Sequence, residues 1–576
     1  MDGGEIIAHI LKKQGVQFLF TLSGGHISPI FIEAQRKGIR VIDVRHEANA
    51  VFAADAISRL TGIPGVAVVT AGPGLTNSIT AIKNAYLAQS PLVLFGGATA
   101  TLLRGRGSLQ DIDQIAMMKP NVKMTIAARK VRDIASAVEE AFYIAQEGVP
   151  GPVFVECPVD LLYPESLVRE WYGAKSNEVP PKNLQERLLR WYINRHVKNL
   201  FSGKDSISLT QPLVKSPHPT HSNSALNTII AKIRSASKPL LLIGSGSMMS
   251  PQRSAELAEA VKKLGIPVYL SGMARGLLGK ENMLQMRHKR KEAIKESDLV
   301  ILAGVSNDFR LDYGNHIGHR PFISINRSRE DLYKNKRPTI PVLADPQDML
   351  IDLAKQFSGK YDAWIEKLKQ RDQSREQDID KQAEDIFSTG MNPIKLFREL
   401  EPMLGENAIL VADGGDFVAT SAYTLKPSAP LSWLDPGVFG TLGVGAGFAM
   451  GAKLAFPEKD VWIIYGDGSA GFSLMEYDTC VRHQLPIISL IGNDACWSQI
   501  ARDQIEILKS DCAVRLAYSN YELIAKAFGA DGQKISTLTE LAAAVSEALL
   551  KSKQGIPYVI NAIIGQTEFR KGSISM

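Results

Sequence analysis

The apolar run Val461-Trp462-Ile463-Ile464 stops at Tyr465-Gly466-Asp467-Gly468-Ser469, and no other stretch constrains the chain as strongly. Such a run ending in a glycine-rich turn predicts a buried strand feeding a tight turn. Gly466 and Gly468 let backbone N–H groups, those of Gly468 and Ser469 among them, approach an anion. Asp467 offers a hard oxygen to a divalent cation. A second run, Ile487-Ile488-Ser489-Leu490-Ile491, ends at Gly492-Asn493-Asp494. Two neighbouring strand ends would then offer a carboxylate and an amide oxygen to one metal. Mg²⁺ with few protein ligands usually holds a diphosphate in this way. Either turn alone is ordinary, because Gly, Asp and Asn are common in turns. The joint pattern, with twenty-four residues between Gly468 and Asn493, singles them out.

A chain of 576 residues is too long for one core, and three or four domains are expected. At 45% apolar and 22% charged it has an ordinary globular composition. A net charge of +6 gives no reason to expect nucleic acid as a partner. The four cysteines (Cys157, Cys480, Cys496, Cys512) have neither a CxxC pairing nor metal-ligand spacing. No signal peptide and no apolar run long enough to cross a bilayer is present.

The fold class predicted is α/β, with three Rossmann-like, doubly wound domains. Residues 1–165 alternate helical patterns with the short strands 18–20, 39–42, 66–70, 92–95 and 153–156. That rhythm implies a parallel sheet covered on both faces, with ligands at the strand C-terminal ends. Residues 166–224 form a linker. Within it, 184–201 reads as a basic amphipathic helix with Leu184, Leu188, Trp191, Val197 and Phe201 on one apolar face. It fits a helix packed across a domain seam, and also a helix touching a membrane surface. Residues 225–355 form a middle domain opening on Leu240-Leu241-Leu242-Ile243-Gly244-Ser245-Gly246. Its glycines alone are weak evidence for a nucleotide, and the rest of a dehydrogenase fingerprint is absent. Arg275, Arg310 and Arg327 are its candidates for phosphate or adenine contacts. A charged connector spans 356–390, and the last domain spans 391–576. Glu47 follows the strand-like Val41-Ile42-Asp43-Val44 and opens a small-residue helix. A carboxylate there also serves simply to stabilise a helix N-terminus.

Four segments occur together: Arg-His-Glu-x-x-Ala-x-x-Ala-Ala-Asp-Ala at 45–56, Thr-Ala-Gly-Pro-Gly-Leu-Thr-Asn at 70–77, Asp-Pro-Gly-Val-Phe-Gly-Thr-Leu-Gly-Val-Gly-Ala-Gly at 435–447, and the Gly-Asp-Gly…Asn pattern. In this order they resemble the acetolactate synthase and 2-hydroxyacyl-CoA lyase branch of thiamine-diphosphate enzymes, over essentially the whole chain. The resemblance implies a pyrimidine-binding first domain, a middle domain, and a last domain binding the cofactor diphosphate. It makes Glu47 the catalytic glutamate that holds the aminopyrimidine. Leu442 becomes the wedge that bends the cofactor, and Gly440 the carbonyl facing its amino group. Gly415, Asp416, Gly468 and Ser469 fall around the diphosphate. Asp467, Asn493 and the Ala495 carbonyl become Mg²⁺ ligands. Gln110, as a catalytic-side residue, and Lys123 match groups lining the substrate side.

Arg502 stands, counted without a gap, where the synthases carry a pocket tryptophan, and a cation there suits an anionic substrate. The activity implied is cleavage of a 2-hydroxyacyl-CoA to a one-carbon-shorter aldehyde and formyl-CoA. The alternatives are acetolactate synthesis from 2-ketoacids, and a non-catalytic thiamine-diphosphate-binding regulatory subunit. ADP or FAD in the middle domain, and a homodimer or homotetramer, are further implications. So is an endoplasmic reticulum location through an anchor preceding this chain, or a cytoplasmic one without it.

Overall fold

Each of the three βα stretches closes into its own parallel six-stranded sheet. The computed structural model describes residues 1–173, 183–204 and 217–571. Residues 174–182 and 205–216 of the linker lie outside the described residues. The first sheet comprises β1 (Phe18–Thr21), β2 (Arg40–Asp43), β3 (Gly65–Val69), β4 (Leu92–Ala98), β5 (Met124–Ala127) and β6 (Pro152–Pro158), in the order β2-β1-β3-β4-β6-β5. β3, β4 and β6 are buried along their whole length. Helices on both faces of a parallel sheet cause this, and it explains why these strands read as unbroken apolar runs.

The second sheet comprises β7 (Pro239–Ile243), β8 (Val268–Leu270), β9 (Gln285–Met286), β10 (Leu299–Ala303), β11 (Phe322–Asn326) and β12 (Ile340–Leu343), in the order β12-β11-β10-β7-β8-β9. The chain reverses its winding between β7 and β10, the position at which doubly wound sheets bind ligands. The loops there touch backbone to backbone: a Cβ on Gly244 would lie 2.5 Å from the Gly304 carbonyl oxygen. So Gly244 and Gly246 have a packing reason independent of any nucleotide.

The third sheet comprises β13 (Ala408–Asp413), β14 (Trp433–Leu434), β15 (Asp460–Gly466), β16 (Ile488–Asn493), β17 (Asp531–Ile535) and β18 (Tyr558–Ile563). Its order, β14-β13-β15-β16-β18-β17, repeats that of the first sheet strand for strand. The terminal domains share one topology without a visible sequence repeat.

Two compact units result, one of residues 1–58 and 63–217, the other of 59–62 and 218–576. In the second, the connector helix Asp362–Ala383 buries Trp364, Leu368 and Ile379. Its buried Asp372 accepts the backbone N–H groups of Arg287 (2.8 Å) and His288 (3.0 Å), which fixes the segment after β9. In the first unit, the helix Leu184–Leu200 is capped by the Asn183 side chain on the Glu186 N–H (2.8 Å). The single apolar face expected for it is in fact two. Val197, Leu200 and Phe201 enter the core of the first unit, while Leu184, Leu188 and Trp191 are exposed. In 3.6-residue periodicity these sets lie on opposite sides of the helix. It packs on the first unit's own core, where a seam had been expected.

Gly304 has φ +62°, and a Cβ there would lie 2.4 Å from the Ser247 nitrogen. Gly304→Ala should therefore cost about 1–3 kcal/mol through overpacking alone. Chemical denaturation would check this, and an unchanged midpoint would show that the β7–β10 contact has slack.

Candidate active site

Strand register places the last domain's polar groups. β15 and β16 pair in parallel with Gly466 opposite Gly492, so the next residues along, Asp467 and Asn493, emerge at neighbouring strand ends. Asn493 is fully buried. Its Nδ2 donates to the Ser519 carbonyl (3.2 Å) and to Asn561 Oδ1 (3.1 Å). This orients the amide and leaves Asn493 Oδ1 buried with no hydrogen-bond partner. Asp467 is also buried, and its oxygens accept the N–H groups of Gly468 (2.8 Å) and Cys496 (3.3 Å). Burial pushes its carboxyl up to about 6, against those N–H bonds. Asp494 is pushed up to about 7, by burial first and then by the charge of Asp467.

An orphaned amide oxygen beside a carboxylate whose charge is costly to bury fits a cation. Ala495 adopts φ +54°, and its carbonyl accepts the Leu516 N–H (2.7 Å), leaving a second lone pair for a metal. Among the described residues no group of three or more His, Cys, Asp or Glu is placed to hold a metal. A cation here would lean on one carboxylate, one amide, one backbone carbonyl and the ligand's own oxygens.

Around these strand ends the turns are tied together. Gly414 packs against the β15 turn: its Cβ would lie 2.9 Å from the Gly466 nitrogen and 3.1 Å from Ser469 Oγ. Gly415 caps the helix Asp416–Thr424, whose N-terminus suits an anion. Trp497 covers Gly468 so closely that any Cβ there would strike the ring. The Ser469 hydroxyl donates to the Asp413 carbonyl (2.5 Å), so Ser469 braces the turn through its side chain. Gly440 (φ +64°) is exposed and Leu442 half-buried, on the loop before the helix Gly445–Ala455. Asp413 anchors that loop: its buried carboxylate accepts the N–H groups of Gly443 (3.1 Å) and Gly445 (2.7 Å).

In the first unit Glu47 opens the helix Glu47–Thr61 and is buried. Asn77 Nδ2 donates to its Oε2 (3.0 Å), and Gly74 leaves room beside its Oε1. Asn77 closes the second motif, but its spacing carried no sign that it touches Glu47. The half-buried Gln110 (φ +64°) rests on the Gly72 turn, where a Cβ on Gly72 would lie 2.9 Å from it. The fully buried Gln114, absent from the sequence reading, holds the same turn by accepting the Gly72 N–H (3.2 Å).

Three expected cations prove to be engaged elsewhere. Lys123 donates to the carbonyls of Ile144 (2.7 Å) and Glu147, ending the helix Ile134–Gln146, and burial lowers its pKa. Arg327 is buried in an ion pair with Asp345. Arg502 pairs with Asp416 at 2.6 Å, both nearly buried, so it offers no free charge to a substrate. Burial raises the Asp416 pKa and Arg502 opposes the rise.

Arg275 and Arg310 do share a site, although Asp308 already pairs with Arg310 at 2.6 Å. They line a cavity of about 1030 Å³ in the second unit with Arg287, Arg290, Arg375 and Arg570, and the Gly414-Gly415 turn forms part of its wall. Among the described residues, Glu292 and Asp435 are its only acidic lining residues. Burial pulls Arg275 down to about 10 and lowers Arg287 and Arg290. Arg287 Nη1 and His288 Nδ1 are buried without partners. Arg570 lies over the Tyr423 ring, 4.2 Å from its centre. The cavity combines excess positive charge with aromatic faces. Sequence spacing could not find Arg287 and His288, because a connector helix more than eighty residues away positions them.

Three doubly wound domains, the first and last of one topology, define the class of thiamine-diphosphate-binding folds, and the family matches show the same three domains. Residues 1–117 match the thiamine pyrophosphate enzyme N-terminal TPP binding domain, 226–353 the central domain, and 413–562 the C-terminal TPP binding domain. The chain belongs to the thiamine pyrophosphate enzyme family. It is similar to 2-hydroxyacyl-CoA lyase 2 of Danio rerio, 46% identical over 100% of this chain and 93% of that protein. The Homo sapiens protein of that name is 44% identical over 100% of this chain and 92% of its own length. A probable acetolactate synthase of Mycobacterium bovis is 32% identical over 98% and 96%.

Glu47→Gln should keep thiamine-diphosphate binding and lose about two to four orders of magnitude in turnover, the range for a lost acid–base group. Single-turnover kinetics would check this. Activity within a few-fold of wild type would remove Glu47 from the chemistry.

Proposed function

We propose that the chain is a thiamine-diphosphate- and Mg²⁺-dependent lyase that cleaves a 2-hydroxyacyl-CoA into a one-carbon-shorter aldehyde and formyl-CoA. The observation that carries this reading is the arginine-lined cavity beside the Gly414-Gly415 turn. A coenzyme A nucleotide brings several phosphate charges and an adenine. Six arginines, of which Arg310 is paired with Asp308, few acids and a Tyr423–Arg570 face suit those groups. The names of the relatives that share 44–46% of its residues point the same way.

In this reading Asp467, Asn493 and the Ala495 carbonyl hold Mg²⁺, and the turns at Gly415–Asp416 and Gly468–Ser469 hold the cofactor diphosphate. Bound there, thiamine diphosphate supplies the electron sink that lets a carbon–carbon bond beside a carbonyl break. Glu47 holds a proton at the aminopyrimidine ring nitrogen, and its hydrogen bond from Asn77 aims the carboxylate. Leu442 supplies apolar bulk beneath the cofactor, on a loop that Asp413 keeps from drifting. The net reaction balances within the substrate: the bond between the hydroxyl-bearing carbon and the thioester carbonyl breaks, the hydroxyl becomes the aldehyde, and its proton ends on formyl-CoA. The working form is a homodimer or homotetramer.

A second reading, acetolactate synthesis, draws on the 32% identity to the Mycobacterium bovis protein, and the same cavity has room for ADP or FAD. Arg502 does not decide between the readings, since Asp416 already neutralises it.

Product analysis separates them. Purified protein with thiamine diphosphate and Mg²⁺ should convert a long-chain 2-hydroxyacyl-CoA to aldehyde plus formyl-CoA or formate. Acetolactate from pyruvate, with no cleavage of the thioester, would overturn the lyase reading in favour of the synthase.

A further inference from the structure

The helix Leu184–Leu200 presents a surface that the proposed reaction does not use. Its outward stripe runs Leu184, Leu188, Trp191, Arg195, Lys198, at the i, i+4, i+7, i+11, i+14 spacing of one helix face. Leu184 is 69% exposed, Leu188 57% and Trp191 58%, and Tyr192 and Leu189 flank them in the open. Neighbouring water-facing leucines and a tryptophan on one helix face are the kind of surface that marks a protein or membrane contact.

The helix is not loosely attached. Val197, Leu200 and Phe201 are buried in the first unit's core. His196 Nε2 meets Thr101 Oγ1 at 3.0 Å, Thr101 Oγ1 donates to the fully buried Asp160 (2.5 Å), and the Tyr172 hydroxyl donates to the same oxygen (2.9 Å). The exposed face is therefore held outward on a pinned, capped helix.

Charge selects the occupant. Arg187, Arg195 and Lys198 stand on or beside the stripe, and none has an ion-pair partner among the described residues; Arg195 instead lies 5.3 Å from the centre of the Trp191 ring. The helix has one acid, Glu186, and it is tied to Arg190 at 2.5 Å. A second copy would bring the same uncompensated cations to the contact. Leucines between a tryptophan and a tyrosine, rimmed by cations, match the boundary between hydrocarbon and anionic headgroups.

We propose that this helix docks the protein on an anionic lipid surface. Leu184, Leu188 and Trp191 enter the acyl boundary, and Arg187, Arg195 and Lys198 meet the headgroups. The inference is independent of the reaction assigned above.

Vesicle co-sedimentation tests it, using phosphatidylcholine alone and phosphatidylcholine with phosphatidylserine. Wild-type protein should bind the anionic vesicles more tightly on the order of a hundredfold, the gain for three cations at such a surface, and raised salt should release it. The double variant Leu188→Gln/Trp191→Gln should lose binding while keeping wild-type turnover and unfolding temperature. Arg187→Gln/Arg195→Gln/Lys198→Gln, which leaves the apolar stripe intact, should lose the preference for phosphatidylserine and carries the test if the double variant does not fold. Wild-type protein that ignores both vesicles would overturn the proposal. So would variants that bind like wild type. Lipid-free self-association abolished by Leu188→Gln/Trp191→Gln would overturn it in favour of a second copy of this chain.

Discussion

The buried carboxylate of Asp413 is the interaction on which the last domain's site depends. It ends β13, and one residue ties two turns together: its side chain accepts the N–H groups of Gly443 and Gly445 on one loop, and its carbonyl accepts the Ser469 hydroxyl on the other. Those turns carry Leu442, the helix Gly445–Ala455 and the Asp467 loop. Burial pushes Asp413 up to about 7, and the two N–H bonds hold it lower than burial alone would. Its folded value lies above the ordinary 3.8, so its favourable contribution to stability is complete below that value and is lost as pH rises through about 7. The two N–H bonds hold the loop of Gly443 and Gly445 against the end of β13.

A parallel sheet makes such a grip possible. Register in β15 and β16 aligns Gly466 with Gly492, and everything beyond that rung is loop. Asp467 and Asn493 therefore stand side by side however the rest of the turn is built. The same geometry, repeated in the first sheet, sets the Gly72–Gly74 turn and Glu47 at strand C-terminal ends. One fold used twice sets a buried carboxylate, Glu47 in the first domain and Asp467 in the last, near strand C-terminal ends, where such folds bind ligands.

The three sheets were legible because buried parallel strands leave unbroken apolar runs, and the turns because only small residues fit where Gly414 meets Gly466. The site's charged groups were less legible. Arg327, Arg502 and Lys123 looked available, yet Asp345, Asp416 and two helix carbonyls take them up. Pairing is a tertiary event, and each partner lies outside any local pattern. Asn77 and Gln114 escaped assignment for the same reason, as did Arg287 and His288, which Asp372 sets in place. The 184–200 helix shows the limit of periodicity. Leu184 and Val197 are both apolar and both on the helix, but only three-dimensional packing separates the face that is buried from the face that is not.

Asp467 and Asn493 are proposed to hold the cation that grips the cofactor. Calorimetric titration of thiamine diphosphate with Mg²⁺, from about pH 5 to about pH 7.5, tests it most directly. Burial pushes the Asp467 carboxyl up to about 6, and a proton there would compete with a bound cation. Affinity should rise with pH through that value, with protons released on binding. Asn493→Leu, which removes the orphaned Oδ1, should weaken binding by about 10- to 100-fold at every pH. Binding that is indifferent to pH and unchanged in Asn493→Leu would contradict the account.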